Sequence, residues 1–310
     1  MQPEKRVNRL RTPPTPDIPP ATPMPPPIRP TNGRSSRERP TNGRPAAGWP
    51  FRSAKKSPSA LGLAIRNNWL QARTYVRQRP WLNTVYTLII RTCLILFLGS
   101  VAWVVILKYV PVWFTPLTIS RKLDTVGTNK SARIFKTWRP YSEINREAAL
   151  AVIASEDQQF PYHWGFDFDE IQDAIKENQT RKRPRGASTI SQQVAKNVFL
   201  WNGRSYIRKG LEVYFTVMIE LIWGKKRILE VYLNVAETGP MTFGVEAAAQ
   251  RFYGHPAYTL NRDEAARIAA VLPNPNQFSI KKPSNYVQRR TRQIARQMRA
   301  LGGQKYIRNL

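Results

Sequence analysis

Reading from the N-terminus, apolar positions first become dense at Thr92 to Leu107, 16 residues without a charge. At 1.5 Å per residue this run reaches only about 24 Å, short of a hydrocarbon core of roughly 30 Å. Begun at Val85 it holds 23 residues. That length gives about 35 Å, with Arg91 one turn from one end, where its stem can snorkel to the headgroups. Trp103, Tyr109, Trp113 and Phe114 suit the far interface. A buried core helix would not carry such flanks, and a cleaved leader would not follow so long a preceding tail. The pattern predicts a transmembrane signal anchor over 85–110.

Beyond it the hydrophobic period is helical. Glu147 to Asp157 carries A-A-L-A-V-I-A, fit for a buried helix. Ile190, Val194 and Val198 recur every fourth residue, and Leu211, Phe215, Met218 and Ile222 keep the period in the next segment. Asn261 followed by Glu264 is a capping-box pattern, and Pro273 stops that helix. No stretch sustains period-two alternation. A mainly α domain is expected over 131–303, with 111–130 as a juxtamembrane connector.

Ahead of the apolar run, the first 50 residues hold 14 of the 26 prolines. Arg-Pro-Thr-Asn-Gly-Arg occurs at Arg29–Arg34 and again at Arg39–Arg44. Few apolar groups offset chain entropy there, so 1–84 is expected to be a disordered basic tail with polyproline character. A domain that grips proline-rich segments is one conceivable partner. A solvated tail drawn to acidic lipid is the simpler expectation.

Composition changes the picture through charge. The chain has 310 residues, with 49 Lys+Arg against 20 Asp+Glu and a formal charge of +29. The basic residues number 16 against 3 acidic in 1–84, and 31 against 17 in 112–310, with Arg91 and Lys108 alone between. Such a chain expects anionic partners, whether nucleic acid, acidic headgroups or a phosphorylated substrate. No nucleic-acid motif is present, and that class is set aside. The single cysteine, Cys93, excludes an internal disulfide, and two histidines leave little for a His-based metal site.

Five segments carry candidate chemistry. Glu156 and Asp157 close an apolar helix, where a carboxylate can have a raised pKa and accept a proton. One Glu at a helix end is more often a solvated or capping group. In G-A-S-T-I-S-Q-Q-V-A-K-N, Ser188 or Thr189 can cap a helix. There Gln192 and Lys196 share a face, with Gln193 alongside. Amides beside a lysine suit sugar hydroxyls and phosphate, although a solvent-facing stripe would look the same. Arg204, Arg208 and Glu212 form an i, i+4, i+8 column, either a salt-bridge ladder or a grip for pyrophosphate, directly and through a divalent ion. Glu230 in K-K-R-I-L-E-V-Y-L-N reads as structural. Arg267, in R-I-A-A-V-L-P-N-P, is the one member of the last segment placed to face a site.

In this order the segments closely resemble the peptidoglycan glycosyltransferases of glycosyltransferase family 51. The pattern E-D-x-x-F-x-x-H-x-G-x-D is met by Glu156, Asp157, Phe160, His163, Gly165 and Asp167. G-x-S-T-I-x-Q-Q-x-x-K-N is met from Gly186 to Asn197, R-K-x-x-E by Arg208, Lys209 and Glu212, and K-x-x-I-L-E-x-Y-L-N from Lys225 to Asn234. The likeness covers about Arg146 to Ser284. The family's transpeptidase partner is not expected, since no Lys-Thr-Gly occurs and the S-x-x-K at Ser53 to Lys56 lies in the tail.

The resemblance implies a lysozyme-like α fold on the bacterial inner membrane, its N-terminus cytoplasmic and its catalytic domain periplasmic. Lipid II would be polymerised into glycan strands with release of undecaprenyl pyrophosphate. Glu156 would be the general base, and Glu212 would stand among Arg204, Arg208 and Lys209 at the pyrophosphate, where it would hold Mg or Mn. Lys196 and Arg204 would contact phosphate, while Thr189, Gln192 and Gln193 would orient sugars with Asn197 nearby. Phe160 and His163 would shape the cleft, with Asp157 in support. The segment 166–185 would dip into the bilayer. Implied partners are lipid II, the nascent strand, membrane lipids and other cell-wall synthesis or division proteins. A membrane-anchored lytic transglycosylase would share the fold and one Glu without needing the arginine column.

Overall fold

The computed structural model describes residues 63, 66–71, 74, 80–125, 133–181, 185–203 and 205–310. Most of the stretch read as a disordered tail, with its proline runs, repeat and S-x-x-K, lies outside the described residues. Within that stretch, 66–71 is helical backbone and helix α1 (Pro80–Tyr109) begins five residues ahead of the expected span. Residues 81–109 of α1, which include an 18-residue window of mean hydropathy 2.3, are long and apolar enough to cross a membrane. They leave Leu88, Ile95, Leu96 and Phe97 exposed.

The last turns of α1 are not free. Val104 and Leu107 are buried, Trp223 Nε1 donates to the Val104 carbonyl at 2.7 Å, and Ser100 bonds the Tyr214 hydroxyl at 2.8 Å. Arg227 donates to the carbonyls of Leu107 and Val110 at 2.8 and 2.6 Å and pairs with Glu230 at 2.5 Å. The orphan carbonyls at the helix end thus gain a cation, as the macrodipole favours. Glu230 is structural, as its apolar neighbours suggested.

The connector contains a helix of its own. Thr115 and Thr118 form reciprocal caps at the start of α2 (Pro116–Leu123), with proline at the first turn, where its missing N–H costs nothing. Lys136 in β1 (Phe135–Lys136) donates to the carbonyls of Val112 and Trp113, both at 2.8 Å, and ties the connector to the domain.

The core is built around α3 (Arg146–Glu156). Asn145 caps it by accepting from the Glu147 amide, and Ala148 to Ala154 are all buried. A run of small residues lets neighbours approach closely, and α3 is packed by the two helices that follow late in the chain. Next come α4 (Phe168–Asn178), α5 (Ile190–Phe199), α6 (Tyr206–Ile222) and α7 (Lys225–Val235). Helix α5 packs on both α6 and α7. Strands β2 (Glu237–Gly239) and β3 (Thr242–Phe243) join β1 in a small sheet of order β1-β3-β2, parallel between β1 and β3 and antiparallel, with a bulge, between β2 and β3. A short α8 (Val245–Ala248) runs into a π-turn over Ala249–Tyr253.

Helix α9 (Arg262–Val271) has the expected Asn261–Glu264 capping box, and α10 (Asn285–Ala300) closes the bundle against α3 and α9. The packed unit runs past the expected end at 303, because a 3-10 turn over Gly303–Ile307 packs on α3 and buries Ile307. The domain is mainly α, as the periodicity required.

Candidate active site

Glu156 is the last residue of α3, pinned in place by the buried alanines before it. It faces a cleft of about 640 Å³ whose walls also include Asp157 to Gln159, Asp167 and Glu170, Arg185 to Thr189, Gln193 at the start of α5, and Arg290, Gln293 and Gln297 of α10. Gln193 Nε2 donates to Glu156 Oε2 at 2.9 Å, and the buried Tyr232 hydroxyl donates to Gln193 Oε1 at 3.2 Å. Enclosure raises the Glu156 pKa, and nearby Asp157 adds to it. The Gln193 bond and the charges of Arg290 and Lys196 hold the rise back. The outcome is a carboxylate open to the cleft and more basic than an ordinary Glu, the property a proton acceptor needs.

Asp157, the C-cap residue, turns the other way. Its Oδ2 accepts from the Ile190 amide at 2.9 Å, at the N-terminus of α5, and its carboxylate pairs with His163 Nε2. A carboxylate at a helix N-terminus is favourable, and this one locks α3 to α5. Gly165 has φ +81°, and a Cβ there would stand 2.8 Å from Thr216 Cγ2. Its carbonyl accepts from Thr189 Oγ1 at 2.7 Å. The E-D-x-x-F-x-x-H-x-G motif therefore serves mostly to set two helix ends against each other.

On the far side of Gln193 lies a second cavity of about 410 Å³, lined by Gln193, Lys196, Asn197, Trp201, Arg208 and Tyr232 together with Arg121 and Glu237. Buried Glu212 on α6 accepts from Arg208 Nη1 at 3.1 Å and from Lys209 Nζ at 2.5 Å. Burial lowers the Lys196 pKa, with Arg208 and Lys209 adding to the fall while Glu212 and Glu156 oppose it. Three cations surround one carboxylate, and the surplus is positive. Such a cluster suits an anionic group more than a sugar.

Several expected placements differ. Gln192 is buried, and its Oε1 accepts from the Thr189 amide in a reciprocal cap, so α5 presents Gln193 to the cleft and Gln193, Lys196 and Asn197 to the second cavity without it. Thr189 is likewise spent on the cap and on Gly165. Phe160 is fully buried under the Lys225 ammonium and does not line either cavity. His163, on Asp157, also stands behind the cleft. Of the expected arginine column, Arg208 and Glu212 pair on α6, whose N-cap is Ser205. Arg204 lies outside the described residues. Arg267 lines a separate depression with Tyr253 and Arg299, away from Glu156. The 166–185 segment contains the ordered helix α4, and residues 182–184 fall outside the described residues.

Sequence reasoning missed Tyr232, Arg121, Glu237 and the whole α10 wall. The signal for α10 was present, since Val287, Ile294 and Met298 form an apolar seam in an otherwise arginine-rich stretch. A resident metal does not fit Glu212. Both its oxygens are ion-paired, and the described residues hold no group of three His, Cys, Asp or Glu side chains.

A helical cleft with a carboxylate of raised pKa at a helix end and a cation cluster beside it is the layout of a glycosyl-transferring enzyme. Residues 123–299 match the family model described as Transglycosylase, and the chain belongs to that family. It is 47% identical over 229 residues to the biosynthetic peptidoglycan transglycosylase of Pseudomonas fluorescens, covering 74% of this chain and 95% of that protein. The protein of the same name from Chromohalobacter salexigens is 49% identical over 215 residues, 69% of this chain and 92% of that one. That from Pasteurella multocida is 51% identical over 212 residues, 68% of this chain and 85% of that one.

Proposed function

We propose that the chain polymerises lipid II into peptidoglycan glycan strands by inverting glycosyl transfer. Glu156 takes the proton from the 4-hydroxyl of the acceptor N-acetylglucosamine. That oxygen attacks the anomeric carbon of the donor N-acetylmuramic acid as the bond to the pyrophosphate oxygen breaks. The electron pair leaves on undecaprenyl pyrophosphate, and Lys196, Arg208 and Lys209 meet its charge. A pyrophosphate leaves as a stable anion, so no second carboxylic acid is required, unlike the acid–base pair of a hydrolase. The observation that carries this reading is Gln193, which lines both cavities and separates one base from one cation cluster.

Asn197 supplies a further polar group on the pyrophosphate side. A divalent ion there would act through the substrate's phosphates, since Glu212 is already neutralised.

The reading includes a single-pass anchor at the inner membrane, with the tail cytoplasmic and the domain periplasmic. The apolar α1 supports it, as do Val213, Val217 and Leu221, which α6 leaves exposed on the helix that packs against α1.

The test is a polymerisation assay with lipid II on the full chain and on Glu156→Gln. Long glycan from the wild type and none from the variant, with helicity kept by circular dichroism, is the expected result. Full activity in Glu156→Gln, or existing glycan shortened to soluble muropeptides, would overturn it.

A further inference from the structure

Helix α10 buries Val287, Thr291, Ile294, Ala295 and Met298. That seam leaves Arg289, Arg292 and Arg296 exposed at i, i+3 and i+7, one stripe on the opposite side. Like charges so placed repel, and among the described residues none of the three forms an ion pair. With Tyr286 and Pro273 they line a groove of about 540 Å³.

The groove adjoins the Glu156 cleft. Arg290 and Gln293 line both the groove and the Glu156 cleft. Arg290 is fixed there, since its Nη2 donates to the Ser155 carbonyl at 3.1 Å and its Nη1 to Gln293 Oε1 at 3.2 Å. Shared walls set the order: cation cluster, Glu156, arginine groove. The pyrophosphate belongs at the first station, so the third awaits a different anion. On a lipid II substrate the other anionic groups are carboxylates of the peptide carried by each muramyl lactyl group. Guanidinium forks match carboxylates with two parallel bonds.

Resting on the function proposed above, we propose that the α10 groove binds the peptide-stem carboxylates of muramyl residues held in the cleft. It acts as a specificity subsite for acidic stems.

The experiment uses the full chain in neutral detergent, as wild type and as the triple variant Arg289→Gln, Arg292→Gln, Arg296→Gln. Two substrates are compared, lipid II with free stem carboxylates and the same molecule with those carboxylates amidated. The wild type should show a KM about tenfold lower for the free-carboxylate substrate, the size expected of a lost charged hydrogen bond. The triple variant should erase that difference at unchanged kcat. A KM unchanged on both substrates, or raised equally on both as general electrostatics or lipid adhesion would do, overturns the subsite. A second arm titrates the free acidic stem peptide into each protein. Binding to wild type and not to the variant supports the groove even if lipid II is not polymerised, in which case the proposed function alone fails. Equal binding to both overturns the groove.

Discussion

Gln193 Nε2 donates to Glu156 Oε2 at 2.9 Å, across 37 residues of chain. The same amide accepts from Tyr232, so its orientation is fixed by a buried hydroxyl on a third helix. A carboxylate that is both enclosed and held in one geometry can act as a base without first being reorganised.

Replacing Glu156 by Gln should lower polymerisation by about 10²- to 10⁴-fold, the usual contribution of a general base. Because burial raises the Glu156 pKa, the acidic limb of kcat/KM in the wild type should lie above the ordinary carboxylate range, with activity lost as pH falls through it. The folded state binds this proton more tightly than the unfolded chain. Stability from this group is therefore full below the unfolded pKa and lost as pH rises through the folded one. Glu156→Gln should melt higher than wild type at neutral pH. A lower melting temperature would contradict the enclosed-carboxylate account.

Gln193→Leu removes the donor that lowers the Glu156 pKa and leaves Tyr232 without its acceptor. The acidic limb of kcat/KM should move to higher pH. Orphaning the hydroxyl should cost about 1–3 kcal/mol, readable by thermal unfolding. An unshifted pH profile would show that the amide does not govern the base.

Glu212→Gln leaves Arg208 charged in a pocket where its side chain is only 14% exposed. Breaking such a pair costs about 3–5 kcal/mol in buried settings, and partial exposure places this case toward the lower end. The melting temperature should fall and KM for lipid II should change, whereas a chelator should leave the melting temperature of wild type unmoved. A chelator-induced fall would reveal a resident metal that the ion-paired carboxylate argues against.

Trp223→Phe deletes the bond to the Val104 carbonyl and should cost about 1 kcal/mol. Arg227→Met removes two carbonyl contacts and the Glu230 pair, so it should cost more and speed proteolysis at 111–115. Equal protease sensitivity in wild type and variant would show that α1 is not held by this anchor.

The sequence by itself determined the helical class, the apolar span, the Asn261–Glu264 cap and the place of a carboxylate at the end of an apolar helix. Those rest on local period and on short-range bonding, which neighbouring residues carry. The Thr189–Gln192 cap was also legible, as T-x-x-Q ahead of an apolar run, and it decides why Gln192 turns inward while Gln193 reaches Glu156. Only the tertiary structure set Phe160 and His163 behind the cleft. It alone brought Arg290 against Ser155 from 135 residues away. Contacts across that separation depend on how helices stack, and stacking follows side-chain volumes and the angle between two seams. No spacing along a single chain records those quantities.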